Sequence, residues 1–221
     1  MKIYEIEAGD RNPVTDGADE KIIELLTTEC SDAISAMQQA KTFLYRGFKD
    51  AANVPEAFHG RPREDRRTLH SNPKVQIAFD ENMKVYGFAT NRSNSIFCTS
   101  VKKRTSLYGY PYLIFPKNGF NFLWSPDVHD LFSAPHIDSW AETILKTSNK
   151  EAAAQEFVRR FKYTDNNFVS ALEKGNEIMV SGEYYAFSAK NTSEIFKNHY
   201  GDKINFETIL SATFKIPVQG D

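Results

Sequence analysis

The stretch on which the fold prediction depends most is Thr42-Phe43-Leu44-Tyr45-Arg46-Gly47-Phe48. Its bulky aromatic and aliphatic residues predict a buried strand, and Gly47 near its end predicts a turn. Arg46 is the exception, because a charged side chain in so apolar a segment needs a partner. Two interpretations are open: the guanidinium pairs with a carboxylate of the core, or it binds an anionic ligand such as a diphosphate.

Two further segments combine strand-forming residues with polar side chains. Residues 95–99 are predicted as one strand, and residues 177–180 as another that starts with Glu177. Residues 184–188 form a third apolar segment after a turn at Ser181 and Gly182, so the last two strands are predicted to pair as a hairpin.

The rest of the chain predicts helices with short strands between them. Apolar spacing predicts a pair of helices after Asp19, with a break near Ser31, and a further helix that starts at Asn72 and Pro73. Residues 49–71 contain two prolines and several arginines and are predicted as an irregular basic loop. The other predicted elements are strands at 1–7, 112–115 and 213–217, a short polar helix at 101–107, and helices at 138–146, 151–163, 168–173 and 193–200.

Helices early in the chain, followed by scattered short strands, favour an α+β fold over a doubly wound parallel sheet. No Gly-x-Gly-x-x-Gly motif and no P-loop is present, so a dinucleotide would be bound without a Rossmann fold. No repeat or Gly/Ser linker divides the 221 residues. A single domain over residues 1–221 is therefore predicted, with a strand and helices in 1–42 and the core in 43–217.

The composition excludes several classes of protein. A 41% hydrophobic and 25% charged content is ordinary for globular proteins, and a net charge of −2 is unlike the strongly basic proteins that coat nucleic acid. Cys30 and Cys98 lack the spacing of metal ligands, so no metal site is expected. The start of the chain is typical of a strand rather than a signal peptide, and no run approaches the roughly 20 apolar residues of a membrane span. The predicted compartment is the cytoplasm, either of the cell that makes the protein or of a host cell, with no membrane partner.

Three motifs occur in the order found in the toxin-like mono-ADP-ribosyltransferases, the class named for arginine, Ser-Thr-Ser and glutamate elements. The arginine motif of that class resembles Leu44-Tyr45-Arg46-Gly47, its Ser-Thr-Ser strand resembles Phe97-Cys98-Thr99-Ser100, and its glutamate strand resembles Glu177-Ile178-Met179. Residues 107–109 and 112–119 are similar to the stretches that follow the second motif. The resemblance covers residues 43–188 and implies split mixed or antiparallel sheets with an N-terminal helical segment.

The resemblance also implies a reaction, in which ADP-ribose passes from NAD to a macromolecular acceptor and nicotinamide is released. Cleavage of the nicotinamide–ribose bond goes through an oxocarbenium-like cation, the electronic problem that glycosidases solve with carboxylates. Glu177 is the predicted catalytic carboxylate, because it would stabilise that cation as it forms. NAD is the predicted cosubstrate, and a protein acceptor is favoured over a nucleic acid. A toxin, a phage-encoded modifier or a defence factor would suit this prediction equally.

The other predicted site residues bind the cofactor or hold the site in place. Arg46 would grip the diphosphate or a ribose, Gly47 would allow close approach of the nicotinamide amide, and Tyr108 would stack on its ring. Thr99 and Ser100 would hold Glu177 and Arg46 in position. Each has an ordinary alternative: Thr99 and Ser100 as a helix cap, Tyr108 as core packing, Gly47 as a turn.

Two departures from the family pattern keep other functions open. Cys98 replaces the first serine of the Ser-Thr-Ser element, and Gly175 stands where the family usually has Glu or Gln, two positions before the catalytic glutamate. These changes are compatible with an unusual acceptor, with NAD hydrolysis, or with a catalytically inactive binding module of the same fold. A further alternative is a non-enzymatic nucleic-acid-associated α+β protein that uses the arginines at 61, 63, 66 and 67, although their pairing with Glu64 and Asp65 is the simpler interpretation.

Overall fold

The computed structural model describes residues 12–13, 19–49, 54–66, 72–131, 137–189 and 206–218. Within these ranges the fold is α+β, as predicted. The helices are α1 (Asp19–Glu29), α2 (Ser31–Ala40), α3 (Pro73–Tyr86), α4 (Lys102–Thr105), α5 (Ile137–Lys146), α6 (Lys150–Phe161), α7 (Phe168–Lys174) and α8 (Phe206–Phe214). The strands are β1 (Asn12–Pro13), β2 (Tyr45–Phe48), β3 (Ala57–Gly60), β4 (Ile96–Cys98), β5 (Tyr110–Pro116), β6 (Asn121–Trp124), β7 (Ile178–Ser181) and β8 (Tyr184–Ser188).

The described strands form two sheets. One has five strands in the order β1-β3-β8-β5-β2, and the other has three in the order β4-β7-β6. Every pairing between these strands is antiparallel. The sheets are joined where β2 begins, because the Tyr45 amide donates to the Thr99 carbonyl at 2.8 Å and the Thr99 amide returns a bond to Tyr45 at 2.9 Å.

The three-stranded sheet lies between two hydrophobic clusters. Its side chains alternate, so that Ile178 and Val180 of β7 join the cluster built on α1, α2, α7, α8 and the five-stranded sheet. Met179, between them, joins the second cluster, which is built on α3, α5 and α6. Aromatic rings fill both, with edge contacts such as Phe115 against Phe187 and Phe79 against Tyr163. Strand β7 is therefore buried on both faces.

Several predicted helices are confirmed, with ends that follow from their capping residues. Asn72 caps α3 by accepting a hydrogen bond from the Lys74 amide at 3.1 Å, and Gly87 ends the helix with a φ of 100°. The break near Ser31 separates α1 from α2, as predicted. The predicted helices at 138–146, 151–163 and 168–173 correspond to α5, α6 and α7. The predicted strand at 1–7 and helix at 193–200 lie outside the described residues.

The predicted hairpin is wrong, because β7 and β8 belong to different sheets. Strand β7 pairs with β4 and β6, whereas β8 pairs with β3 and β5. Gly182, with a φ of 106°, and Glu183 connect them. Each strand already has a partner on both edges, β4 and β6 for β7 and β3 and β5 for β8, so neither has an edge left for the other. The short connection therefore passes the chain from one sheet to the other.

Three further predictions need correction. The predicted closing strand at 213–217 is wrong: Phe214 is the last residue of α8, and Lys215, with a φ of 54°, ends the helix. Strand β3 lies inside the segment predicted to be irregular, where Gly60 packs against the Tyr184 ring. Strand β6 was not predicted, since only its pairing with β7 distinguishes so short a segment from a loop.

None of the described helices is long and apolar enough to span a bilayer.

Candidate functional site

The three predicted motifs meet around Thr99. This residue bridges to Tyr45, next to Arg46, at the junction of the two sheets. Strand β4 pairs with β7 as far as Cys98 opposite Ile178, which are the sequence neighbours of Thr99 and Glu177. Segments that are far apart in sequence therefore lie side by side where the sheets join.

Glu177 is held at the start of β7 by contacts at both its backbone and its side chain. Its amide donates to the His129 carbonyl at 3.0 Å. One carboxylate oxygen, Oε1, accepts from Nη1 of Arg92 at 3.1 Å. The Glu177 side chain is 17% exposed and that of Arg92 only 2%, so the carboxylate lies at the edge of the interior with its cation beneath it.

Arg92 is the site residue that sequence reasoning missed. It lies in the polar turn before β4, where its amide donates to Asp80 Oδ1 at 2.7 Å. The guanidinium lies over the Phe97 ring, 4.2 Å from its centroid, and that of Arg66 lies 4.0 Å from the same centroid. No motif marks an arginine in such a turn, so only the fold reveals its contact with Glu177.

The charges of this ion pair affect two neighbouring groups. Burial raises the pKa of the Asp80 carboxyl, and hydrogen bonds from Ser93 and Arg92 oppose that effect. Burial also raises the pKa of Tyr163, and the negative charge of Glu177 adds to the rise while Arg92 counteracts it. Both residues therefore lie within the electrostatic reach of the pair.

Arg46 is buried between the two sheets, with 3% exposure. Its Nη1 donates to the Phe97 carbonyl at 2.7 Å, and its guanidinium carbon lies 5.2 Å from the centroid of the Phe48 ring. Arg46 and Arg92 thus contact the same residue of β4, one at its backbone and one at its ring. This arrangement places two cations close to the junction of the sheets.

Thr99 and Ser100 hold the segment that leads into Glu177. The Thr99 hydroxyl donates to the Gly175 carbonyl at 3.0 Å, and the Ser100 hydroxyl donates to the Leu172 carbonyl in α7. Thr99 also accepts from the Val101 amide at 3.2 Å, which is the capping type of contact expected before a helix. Both hydroxyls position the end of α7 and the turn that follows it.

Three comparisons with known proteins, against protein-family models, curated proteins and solved structures, gave no match. The function must be argued from the site. Among the described residues, no group of three or more His, Cys, Asp or Glu side chains is placed to hold a metal ion.

Gly175 has a structural explanation of its own. It ends α7 in the left-handed region, with a φ of 70°, which strains any residue that carries a side chain. A methyl group added there would lie 2.7 Å from Cγ2 of Val101. A Glu or Gln at this position, as in the family pattern, would meet both the positive φ and the Val101 side chain.

Gly47 is also required by packing. A methyl group there would collide with the carbonyl oxygen of Thr105 and lie 3.0 Å from Cβ of Tyr108. The close approach of α4 to β2 therefore explains the glycine without any ligand. Tyr108 itself is 42% exposed, so its ring is accessible next to the strand that carries Arg46. Cys98 is a free thiol in the core, 3% exposed.

The arginine-rich loop divides into paired and buried side chains. Arg61 pairs with Glu64 at 3.6 Å and Arg63 with Asp65 at 3.0 Å, as the simpler interpretation predicted. Arg66 departs from that interpretation, because it is 8% exposed and Nη1 donates to the Ser95 carbonyl. The fourth arginine, at 67, lies outside the described residues.

Proposed function

We propose that this protein transfers ADP-ribose from NAD to a macromolecular acceptor. The observation that carries the proposal is that the segments bearing Arg46, Thr99 and Glu177 lie side by side where the two sheets join. The sequence motifs suggested these residues independently of the structure, and chance would rarely bring three such distant segments together.

Glu177 supplies the negative charge that the reaction needs. As the bond to nicotinamide breaks, positive charge develops on the ribose, and a fixed carboxylate stabilises it more in the transition state than in bound NAD. The bonds that Thr99 and Ser100 make to the Gly175 and Leu172 carbonyls keep the start of β7 rigid. Because the carboxylate is already held in place, little free energy is spent on moving it when the ribosyl cation forms.

Arg46 and Tyr108 would position the cofactor. The Arg46 guanidinium matches the geometry of a diphosphate, but it is 3% exposed and bonded to the Phe97 carbonyl, so NAD binding would have to uncover it. The accessible ring of Tyr108 offers a flat surface for nicotinamide on the neighbouring segment. The two side chains would then hold opposite parts of the dinucleotide.

A second candidate, an NAD-binding module without catalysis, is favoured by the Arg92–Glu177 ion pair. A guanidinium 3.1 Å from the carboxylate opposes a ribosyl cation at the same place. An enzyme on this scaffold would use the pair to orient the carboxylate, whereas a binding module would use it only for stability. Measurement of catalysis separates the two.

The experiment is nicotinamide release from NAD by the purified protein, with and without a mixture of cellular protein and nucleic acid as acceptor. Glu177→Gln should reduce release by about a hundredfold or more while NAD binding is retained, because the lost interaction belongs mainly to the transition state. Glu173→Gln is the matched control, since Glu173 is exposed on the last turn of α7. It should leave release unchanged.

The other outcomes assign the function differently. Release without labelling of any acceptor would indicate an NAD glycohydrolase. NAD binding without release, by folded protein under all conditions, would favour the binding module. Salt-dependent nucleic-acid binding without affinity for NAD would favour the non-enzymatic alternative.

A further inference from the structure

One surface next to the candidate site combines cations with exposed aromatic and aliphatic side chains. We call it the α4 surface, and it consists of Lys103, Arg104, Leu107, Tyr108 and Tyr110. Leu107 is 77% exposed, Tyr108 42% and Tyr110 47%. Since only seven large hydrophobic residues are exposed among those described, three within four positions form a concentration that packing does not explain.

The α4 surface adjoins both sides of the candidate site. On one side, Nη1 of Arg104 donates to the Gly175 carbonyl, two residues before Glu177. On the other, Thr105 and Tyr108 pack directly against Gly47, next to Arg46. A partner bound on this surface would therefore reach the place where we expect the ribosyl cation.

The charge around this surface is positive. No Asp or Glu occurs anywhere in residues 82–126. Of the cations in this stretch, Arg92, Lys102 and Lys117 pair with carboxylates from other parts of the chain. Within the described residues, Lys103 and Arg104 have no acidic partner, and both are exposed. The whole chain has a net charge of −2, so the positive charge is a local property of this surface and would direct an anionic partner to it.

We propose that the α4 surface binds a single-stranded nucleic acid and presents it as the acceptor, which rests on the proposed ADP-ribosyl transfer. The exposed ring of Tyr110 stacks on an unpaired base, Tyr108 keeps its place beside nicotinamide, and Lys103 and Arg104 bind the phosphates. A duplex keeps its bases stacked on each other, so it offers nothing to the Tyr110 ring. This acceptor class differs from the protein acceptor that the sequence favoured.

The transfer balances with this acceptor. The ribose carbon exchanges its bond to the nicotinamide nitrogen for a bond to a hydroxyl oxygen or ring nitrogen of the nucleotide. The bonding electrons leave with nicotinamide, which departs neutral, and the acceptor atom releases its proton to solvent.

Binding can be tested without NAD, by fluorescence anisotropy of a fluorescein-labelled 15-nucleotide oligo(U) and its oligo(dT) counterpart with the full chain. Tyr110→Ala should weaken binding about tenfold through the lost stacking. Lys103→Ala should weaken it several-fold and reduce the slope of log affinity against log salt by about one. Tyr86→Ala is the matched control, because Tyr86 is also 47% exposed but lies on α3.

Unchanged affinity in both α4 variants, with thermal unfolding like that of the wild type, would overturn the proposed surface. So would equal binding of a duplex of the same sequence. Labelling of protein but of neither oligonucleotide in the presence of NAD would overturn the acceptor assignment alone. If oligonucleotide binding needs Tyr110 and Lys103 but no nicotinamide is released, the α4 surface is supported as a nucleic-acid binding site and the proposed ADP-ribosyl transfer is contradicted.

Discussion

Replacement of Arg92 by methionine and Glu177 by glutamine, singly and together, should reveal a strong coupling between the two positions. Nη1 of Arg92 lies 3.1 Å from Oε1 of Glu177, and the side chains are 2% and 17% exposed. Burial to this extent removes much of the solvent screening that weakens surface pairs. The pair therefore offers a measurable test of the geometry at the candidate site.

The expected magnitude follows from charge separation and burial. At 3.1 Å and an effective dielectric constant of about 20, two unit charges attract each other by roughly 5 kcal/mol. The desolvation of each group cancels in the cycle, and relaxation of the single variants around the remaining charge reduces the measured coupling energy to about 1–3 kcal/mol. Arg92→Met alone should cost about 3–5 kcal/mol, because it removes the buried cation beside the carboxylate and also the contact with the Phe97 ring.

The assay is urea unfolding followed by the fluorescence of Trp124, which is buried with 6% exposure. Arg159 and Glu156 form the control pair, since their ion pair is 2.8 Å long but their side chains are 74% and 51% exposed. The same substitutions there should give a coupling of at most about 0.5 kcal/mol, because solvent screens this exposed pair even though it is bidentate. A coupling at Arg92 and Glu177 no larger than at this control would refute the reasoning.

Three other predictions concern stability. Gly175→Ala should cost about 1–3 kcal/mol in thermal unfolding and more than Gly119→Ala, since both glycines have positive φ but only Gly175 has a methyl-sized clash. The hydrogen bond from the Lys117 ammonium lowers the pKa of Glu29 from its ordinary 4.5. The free energy of unfolding should therefore decrease as the pH falls below about 4.5, where Glu29 takes up a proton in the unfolded chain before it does in the folded one. Lys117→Met should make the urea midpoint depend less on pH between pH 3 and 6. Glu207→Gln removes the negative charge that Nζ of Lys102 contacts at 2.8 Å, where the two side chains are 11% and 1% exposed, so it should lower the free energy of unfolding by about 3–5 kcal/mol in urea.

Some helix ends and one strand could be predicted from the sequence alone. The cap at Asn72 and the break at Ser31 follow from side chains within a few residues, and the structure has both. Strand β2 was also predicted, although it begins at Tyr45 rather than at residue 42. Each of these elements is decided by side chains close to it in the sequence.

The features that sequence reasoning missed depend on distant pairing. The connection through Gly182 has the composition of a hairpin turn, and only the competition among β3, β4, β5 and β6 for partners decides where each strand goes. The contact of Arg92 with Glu177 joins two turns far apart in the chain. Arg46, Thr99 and Glu177 were predicted as site residues, whereas the residue that holds the glutamate was not.

The strands of the two sheets are interleaved along the chain: β1 to β3, β5 and β8 belong to one sheet, and β4, β6 and β7 to the other. No single cut of the polypeptide separates them, so every fragment that ends before β7 lacks the central strand of the smaller sheet. The junction at Thr99 joins β2 to the end of β4, and Glu177 is added only when β7 pairs with β4. A nascent chain that ends before β7 would therefore lack the carboxylate and any activity that depends on Glu177.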